Sequence, residues 1–563
     1  MPPAALIGAE YDALHLSSVI FAEQLTDAGV ASTTHIAKGM IHGHLNWGIG
    51  ADFAEGERRI QFFADFITGA IKPAQPAPIQ KGSRRQMNRP LPRNTPSQKN
   101  VDAQGITSFI EALETTPNVE PHSIMLLRCG SVIAEGWWAP YSQDGVQLLY
   151  SLSKTFTSTA IGFAVEEGLL NLDDTVLSHF PELDNEITDP RMRALQVGHV
   201  LTMASGHRED TWERAQQTDP TNALRGFLLT PQDSDPGTIF AYNQPCTLAL
   251  AAILQEISGQ SLVEFLRPRL FDPLGIGEVA WLSDDSGRQL GFSGMFAQTD
   301  AIARLGQFYL QRGRWDGRQL LSASWIDQAT SKQVSTETLD HPDWQQGYGF
   351  QLWMSRHGYR GDGVYGQFCV VLPEHDAVLA FTGQSLDMDK VLALAWEHLV
   401  PAFDRTTSSS AQPKADLALV ERLVTLALPP RTHAEHLPSP RAQVFEAAPG
   451  NDQPHLVRIE LRPDENARQW ELTLIEGTER IIITPGLGTW KTTPTTAASA
   501  GPALGEDGTT TDSKIAVDVI FLETPHRLHL VLDPINSTFS AKWATTPLHQ
   551  LPLHEMCSPK RLP

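Results

Sequence analysis

Cysteine is scarce in this chain of 563 residues, and the few cysteines present form no pattern. Cys129, Cys246, Cys369 and Cys557 are far apart and contain no CxxC pair. Neither a zinc site nor a disulfide framework is indicated, so we expect no metal, no cofactor and a reducing compartment, the cytoplasm. The N-terminus has no basic segment followed by an apolar core, which argues against a secretory signal.

Long apolar runs and an excess of basic residues are also missing. No apolar run approaches the length of about 18 residues that a membrane span needs. The chain has 43 Lys and Arg against 65 Asp and Glu, a net charge of −22. Nucleic-acid surfaces need clustered basic residues to displace counterions from phosphate, so this balance argues against one. The hydrophobic fraction, 41%, is that of a globular protein, and the length favours more than one domain.

Shifts in composition divide the chain into five segments. Residues 1–72 predict strand, helix, strand and helix, with the short strands at AALIGA and STTHIA. The stretch 73–100 is rich in Pro and polar residues and predicts a linker, whereas residues 101–403 mix helices and strands. Residues 404–430 predict a second linker with a helix. Residues 431–563 show period-two patterning with Gly and Pro breaks, which is typical of antiparallel sheet.

The segment LLYSLSKTFTSTAIGFAVEEGLL, residues 148–170, holds a hydroxyl and an amine three positions apart. Helical spacing begins at Ser151, so we expect this serine at a helix N-terminus, where unpaired backbone N–H groups favour developing negative charge. Lys154 leaves the same face of the helix. It can stabilise an alkoxide, or act as a base if burial depresses its pKa. The alternative is a serine N-cap followed by a solvated lysine.

The segments around this pair resemble a known superfamily. Ser-x-x-Lys opening a helix, followed by GLLNLDDTVLSHFPEL and VGHVLTMASGH, is similar to the serine β-lactamases and penicillin-binding proteins. The resemblance covers about residues 105–400 and narrows to the class C-like branch, which includes the family VIII carboxylesterases, D-aminopeptidases and nylon-oligomer hydrolases. It implies an α+β fold with a β-lactamase/transpeptidase-like main domain, in which helices flank an antiparallel sheet and form a subdomain. A small α/β N-terminal segment and a β-rich C-terminal domain complete this expectation.

The second motif of that branch, Tyr-x-Asn, falls on Tyr242, Asn243 and Gln244. The resemblance implies that Tyr242 accepts the serine proton and returns it to the leaving group. A phenol has an ordinary pKa of about 10, which the ammonium of Lys154 would lower. Gln244 stands where the branch has Asn, and the resemblance gives it a substrate contact. Whether Lys154 or Tyr242 is the acting base stays open.

The third motif falls on Val364, Tyr365 and Gly366. The resemblance makes Tyr365 and Gly366 substrate-binding residues, and the N–H of Gln367 would form the oxyanion hole together with that of Ser151. The triplet has no cation to hold a substrate carboxylate. This absence argues against efficient β-lactam turnover and for neutral esters or amides.

Two aromatic residues in PDWQQGYGFQLW are further candidates. Trp344 and Tyr348 would line an apolar acyl pocket in one interpretation, and would belong to the core in the other.

The N-terminal segment carries a second resemblance. GAEYDALHLSS and GMIHGHLNWG are similar to the C-terminal part of an α/β-hydrolase of the hormone-sensitive lipase type, with Asp12 as its acid and His42 as its histidine. The chain contains no Gly-x-Ser-x-Gly elbow, and an acid–histidine pair without a serine cannot transfer an acyl group. We therefore expect residues 1–72 to be a truncated, non-catalytic segment.

These observations favour a serine hydrolase acting through an acyl-enzyme, specifically a carboxylesterase of short-chain esters. The alternatives are an amidase or D-aminopeptidase-like enzyme, a weak β-lactamase, or a non-catalytic penicillin-binding-like sensor. The expected partners are a small-molecule ester or amide and a second copy of the chain in a homodimer, not nucleic acid or membrane. The C-terminal part would shape the mouth of the cleft, mediate dimerisation or cover apolar surface.

Overall fold

The structure, a computed structural model, describes residues 4–9, 32–37, 90–404, 412–431, 441–463, 469–504, 510–549, 551–558 and 560. Contacts divide the chain into two units, Met1–Arg84 and Arg85–Pro563. In the first unit β1 (Ala4–Ala9) and β2 (Ser32–Ala37) pair in parallel, which confirms the two strands predicted there. The two helices predicted in this segment, and Asp12 and His42, lie outside the described residues.

An antiparallel sheet forms the centre of the second unit. Its described strands are ordered β10-β11-β12-β13-β3-β4. Their bounds are β3 (Pro121–Arg128), β4 (Ser131–Trp137), β10 (Trp353–Ser355), β11 (Gly358–Gly363), β12 (Gln367–Leu372) and β13 (Ala377–Gly383). The middle strands are buried on both faces and read as continuous apolar runs, QFCVVL in β12 and AVLAFTG in β13. Strands from residues 121–137 and from residues 353–383 thus meet in one sheet.

Helices cover both faces of this sheet and extend beyond it. The helices of the unit are α1 (Ala103–Thr115), α2 (Ser153–Glu166), α3 (Pro190–Arg193), α4 (Val197–Leu201), α5 (Trp212–Thr218), α6 (Ala223–Leu229), α7 (Gln244–Ser258), α8 (Leu262–Leu266), α9 (Asp272–Leu274), α10 (Thr299–Leu310), α11 (Ala323–Ala329), α12 (Met388–Asp404), α13 (Gln412–Leu423) and α14 (Leu553–Met556). Short 3₁₀ or π turns lie at Ser97–Lys99, Tyr150–Leu152, Val176–His179, Pro181–Leu183, Arg267–Phe271 and Pro373–His375.

Two hydrophobic cores meet at the sheet because successive side chains of a strand point to opposite faces. Ile124 and Leu126 of β3 belong to the core shared with α1 and α12. Met125 and Leu127 belong to the larger core, which includes Leu305 of α10 and the helical region that holds α2 and α7. The α+β architecture expected from the sequence, with helices flanking an antiparallel sheet, is confirmed.

The C-terminal part forms a second, larger sheet, as the period-two segments predicted. Its strands are ordered β17-β16-β15-β14-β23-β22-β21-β20-β18, and β19 pairs with β20. The bounds are β14 (Gln443–Ala447), β15 (Leu456–Pro463), β16 (Trp470–Glu476), β17 (Glu479–Ile483), β18 (Gly486–Leu487), β19 (Lys491–Thr492), β20 (Thr496–Leu504), β21 (Thr510–Phe521), β22 (His526–Asp533) and β23 (Thr538–Trp543). Two small sheets complete the unit: β5 (Gln147–Leu148), β7 (Met295–Ala297) and β6 (Ala280–Trp281), and β8 (Arg314–Trp315) with β9 (Arg318–Gln319).

The C-terminal sheet packs directly on residues 90–404, the central-sheet region of the unit. The guanidinium of Arg527 contacts both carboxylate oxygens of Glu120 at 2.8 Å. The backbone N–H of Leu148 donates to the carbonyl oxygen of Glu523 (2.8 Å). Ile520 joins the core of the central sheet. The second sheet is therefore in contact with the segment that leads into Ser151.

Within the described ranges, no single helix is both long and apolar enough to cross a membrane. The helical segments Gln244–Ser258 and Leu262–Leu274 meet the length and composition requirement only when taken together, and they are bent by 70°.

Candidate active site

Ser151 lies in the 3₁₀ turn Tyr150–Leu152, immediately before α2 begins at Ser153. This is the position at a helix N-terminus that the sequence predicted. The turn is pressed against the end of β11, where a Cβ on Gly363 would stand 2.1 Å from the carbonyl oxygen of Leu149. Only a glycine allows this approach, so the sheet and the serine turn are held in direct backbone contact.

Lys154 is buried beneath this turn, and its side chain is 1% exposed. Its Nζ donates to Ser151 Oγ (3.0 Å), to Gln244 Oε1 (2.6 Å) and to the carbonyl oxygen of Phe292 (2.8 Å). The amine is therefore held on the nucleophile by two further acceptors from distant parts of the chain. The interpretation of Lys154 as a solvated surface lysine does not agree with this burial.

Burial lowers the pKa of Lys154 from 10.5 to about 7, because a low-dielectric surrounding disfavours the ammonium. The carboxylates of Asp210 and Asp362 act in the opposite direction, as does Cys246. Near neutral pH both the free amine and the ammonium are therefore populated. An amine in this state can take a proton from the hydroxyl beside it.

Tyr242 lies over the same amine, with Lys154 Nζ 4.7 Å from the centroid of its ring. The ring stacks on Trp353, with centroids 5.4 Å apart and planes 17° apart. Burial raises the pKa of the Tyr242 phenol above its ordinary value, and the negative charge of Asp362 adds to this effect. A hydrogen bond with Ser151 acts the other way but is a smaller influence. The phenol therefore stays protonated at neutral pH, contrary to the lowered pKa expected beside Lys154.

Gln244 opens α7 and turns towards the lysine. Its side-chain oxygen accepts from Lys154, and its backbone N–H donates to Asp210 Oδ1 (3.1 Å). The preceding Asn243 is fully buried and accepts from the backbone and hydroxyl of Thr211 (both 2.9 Å). The described contacts of the Gln244 side chain thus go to Lys154, and its predicted substrate contact stays a prediction.

The third motif lies in the connection between β11 and β12. Tyr365 and Gly366 have positive φ angles of 66° and 86°, which makes a tight turn. Gln367 starts β12 directly opposite Gly363, the residue that touches the serine turn. The Gln367 side chain is buried and donates to the carbonyl oxygen of Gly383 (2.8 Å). This register brings the predicted oxyanion residue and Ser151 to neighbouring pieces of backbone.

The two aromatic candidates both pack against Trp353, with ring centroids 6.4 Å from it for Trp344 and 4.7 Å for Tyr348. Tyr348 is 1% exposed and packs edge-on against Tyr242, with centroids 6.1 Å apart. Trp344 is half-buried, 4.4 Å beneath the guanidinium of Arg360, and lines a cavity of about 360 Å³. Tyr348 therefore supports Tyr242 from within the core, and of the two only Trp344 borders open space.

Several residues of this site carried no recognisable signal in the sequence. Asp210 and the carbonyl of Phe292 reach Lys154 from separate loops. Asp362 acts on Lys154 from β11 and forms a buried ion pair with Arg360 (3.0 Å). Across the described parts of the chain, no group of three or more His, Cys, Asp and Glu side chains is arranged to hold a metal ion.

Comparisons with known proteins show the family to which the chain belongs. Residues 107–400 match the Beta-lactamase family model. The 6-aminohexanoate-dimer hydrolase of Paenarthrobacter ureafaciens is 25% identical over 279 residues, 46% of this chain and 71% of the relative. The lovastatin esterase of Penicillium rubens is 32% identical over 160 residues, 24% of this chain and 40% of the relative. Among solved structures, a putative 6-aminohexanoate-dimer hydrolase from Bacillus anthracis has a TM-score of 0.46 at 19% identity, covering 56% of this chain and 87% of that one.

The fold and the family match together define a serine hydrolase of the β-lactamase and penicillin-binding protein superfamily, whose relatives include esterases, amidases and β-lactamases. The chain belongs to the Beta-lactamase family.

Proposed function

We propose that this protein is a carboxylesterase of short-chain esters that acts through an acyl-enzyme on Ser151. The observation that carries the proposal is the buried Lys154 amine, 3.0 Å from Ser151 Oγ and with a pKa of about 7. Ser151 Oγ attacks the ester carbonyl while its proton passes to Lys154. Lys154 is the base because Tyr242, whose pKa is raised, remains a phenol and cannot accept the proton.

The remaining steps use groups around the serine. The backbone N–H groups of Ser151 and Gln367 receive the negative charge that develops on the carbonyl oxygen. Tyr242 donates its phenolic proton to the departing alkoxide and is reprotonated by Lys154. Water, activated by the same amine, then cleaves the Ser151 ester and releases the acid.

Two features support an ester rather than a β-lactam as substrate. Residues 364–366 contain no cation that would hold a carboxylate. The cavity that Trp344 borders is lined by Leu339, Leu386 and Met388 but also by Asp340, His341 and Asp389, whose carboxylates disfavour a negatively charged substrate group. The name of the Penicillium rubens relative, lovastatin esterase, is consistent with this choice.

Amide hydrolysis is the second candidate, and Asp210 is the observation that favours it. Its exposed carboxylate lies close enough to Lys154 to influence the lysine pKa. A carboxylate at the edge of the site would attract a substrate that carries an ammonium group. The name of the Paenarthrobacter relative, a hydrolase of an aminohexanoate dimer, is consistent with such a substrate.

One set of assays tests these candidates. The wild type and Ser151→Ala are incubated with p-nitrophenyl butyrate, a D-amino-acid p-nitroanilide and a chromogenic cephalosporin. We expect ester turnover that falls by about 10³-fold or more in Ser151→Ala. Lys154→Met should lose a similar factor, and Tyr242→Phe should lose less. Turnover of the anilide alone would favour the amidase over the esterase. Unchanged ester turnover in Ser151→Ala would refute the proposal that Ser151 is the nucleophile.

A further inference from the structure

A residue of the C-terminal sheet domain reaches the active site. After β23 the chain runs back towards the central-sheet region, where the hydroxyl of Tyr365 donates to the carbonyl oxygen of Thr546 (2.6 Å). Three residues later, His549 Nε2 is hydrogen-bonded to Ser293 Oγ at 2.7 Å. The His549 ring also stacks on Tyr150, with centroids 5.6 Å apart and planes 12° apart.

Both of these contacts are one residue away from a catalytic group. Ser293 follows Phe292, whose carbonyl oxygen accepts the hydrogen bond of Lys154 Nζ. Tyr150 precedes Ser151, and its hydroxyl is bonded to His526 Nε2 at 2.5 Å. The C-terminal domain therefore holds the nucleophile turn and the lysine acceptor at the same time.

The charge state of His549 suits this position. Burial, together with the positive charge of Lys154, lowers the pKa of His549 to about 4. The imidazole is neutral at the pH where Lys154 titrates, so it adds no second cation. It can bond to the hydroxyl of Ser293 in either tautomer.

We propose that His549 is a positioning residue for Lys154: its hydrogen bond to Ser293 holds the Phe292 carbonyl against the amine. This inference rests on the proposed function, in which Lys154 is the base. Ser293 is 5% exposed, and its carbonyl oxygen is held from the other side by Trp281 Nε1 (2.8 Å), so the segment is clamped between two side chains. Releasing one side of the clamp lets the Phe292 carbonyl move away from Nζ.

The effect on the amine has a definite sign. A carbonyl oxygen bonded to Nζ stabilises the ammonium, so weakening that bond lowers the pKa of Lys154. The other groups that face Lys154 are Asp210 from the loop before α5, Cys246 from α7, Asp362 from β11 and the ring of Tyr242. All of them belong to the central-sheet region, so His549→Phe changes none of these residues.

His549→Phe tests the proposal, because phenylalanine keeps the ring on Tyr150 and excludes water but cannot bond to Ser293. With p-nitrophenyl butyrate we expect kcat to fall roughly 3- to 10-fold with KM nearly unchanged. The acid limb of kcat/KM should move to lower pH by about half a unit. His549→Gln, whose amide can reach Ser293, should restore both values.

Three controls separate the possible outcomes. His455→Phe, an exposed histidine of the same domain, should leave the rate and the pH profile unchanged. Ser293→Ala removes the same hydrogen bond from the other side, so it should reproduce His549→Phe, and it supplies the test if that variant does not fold. The double variant should be no worse than either single one, because both changes remove one interaction.

Different results would overturn different claims. A wild-type pH profile in folded His549→Phe and in Ser293→Ala, with Ser151→Ala inactive, refutes the positioning role and leaves the proposed function standing. Additive losses in the double variant also refute it. Full ester turnover in Ser151→Ala refutes the proposed function itself, and the inference about His549 falls with it.

Discussion

At the scale of single residues, Lys154 is subject to two opposing influences. Three hydrogen-bond acceptors and the carboxylates of Asp210 and Asp362 favour its ammonium form, whereas burial disfavours it. Burial is the larger influence, and the resulting pKa of about 7 is close to the value that suits a general base at neutral pH. The same lysine therefore costs stability, and in the proposed mechanism it supplies the reactivity of Ser151.

Lys154→Met should reveal this cost through the pH dependence of unfolding. The pKa is lowered in the folded state, from 10.5 to about 7, so between these values the unfolded chain binds more protons. As the pH increases, the free energy of unfolding of the wild type should therefore rise relative to that of Lys154→Met, by at most about 1.4 kcal/mol per pH unit. Urea unfolding at pH 7, 8 and 9 measures the difference. A difference that stays constant over this range would contradict the lowered pKa.

Asp210→Asn should change the pH profile of the reaction. The carboxylate raises the pKa of Lys154, so its removal lowers that pKa and moves the acid limb of kcat/KM to lower pH. Because Asp210 is exposed, we expect a shift below about one unit that shrinks in high salt. Glu209→Gln removes a neighbouring exposed carboxylate and serves as the control. If the acid limb of kcat/KM does not shift in Asp210→Asn, solvent screens Asp210 from Lys154 and the prediction is wrong.

At the scale of elements, the site depends on one contact between β11 and the turn that opens α2. A Cβ on Gly361 would meet the hydroxyl of Thr155 at 2.3 Å, and one on Gly363 would meet the Leu149 carbonyl. The end of the strand thus lies backbone to backbone against the turn that holds Ser151. This close contact fixes Ser151, the proposed nucleophile, relative to Gln367, which pairs with Gly363.

Gly363→Ala should therefore separate the two halves of the predicted oxyanion hole. The added methyl group meets a backbone oxygen at 2.1 Å, which cannot rotate away, so strand or turn must shift. We expect kcat for p-nitrophenyl butyrate to fall by about 10²-fold or more while Lys154 remains in place. At Gly145 the nearest atom to an added Cβ is 3.3 Å away, so Gly145→Ala should keep most of the activity. Equal activity in both variants would show that this contact does not position the site.

At the scale of the whole molecule, the C-terminal sheet contacts the segments that form the candidate active site. Its contacts with the central-sheet region include the Glu120–Arg527 ion pair and the hydrogen bond between Tyr150 and His526. His526 is itself held by the Thr545 carbonyl at Nδ1 (2.9 Å) and is 1% exposed. Tyr150, which precedes the proposed nucleophile Ser151, is thus anchored to a region that follows the residues matched by the family model, 107–400.

Tyr150→Phe should weaken the attachment between the two sheets. It leaves His526 Nε2 buried without this partner, which costs about 1–3 kcal/mol in the free energy of unfolding. Urea denaturation measures the loss, and the ester assay should show a parallel fall in kcat because Ser151 is the next residue. Tyr359→Phe is the matched control, a buried tyrosine with no hydrogen bond from its hydroxyl to the described residues. A loss no greater in Tyr150→Phe than in this control would contradict the anchoring role.

The sequence by itself determined the features that depend on local spacing. Ser151 and Lys154 are three residues apart at a helix start, so their side chains meet wherever that helix is placed. Alternation in the segments that became β15, β16, β17 and β22 marked antiparallel strands, because the period of a strand is two. No local pattern predicts that Tyr242 lies near Ser151 and Lys154. That expectation came from the family resemblance.

Only the tertiary structure decided the chemistry of the pair. The low pKa of Lys154 comes from burial, and burial depends on segments such as those of Gln244 and Phe292, which are distant in sequence. The raised pKa of Tyr242, on which the proposed assignment of the base to Lys154 depends, has the same origin. The approach of His549 to Ser293 joins positions 256 residues apart. Contacts over such separations depend on how whole elements pack, and residue spacing carries no information about that packing.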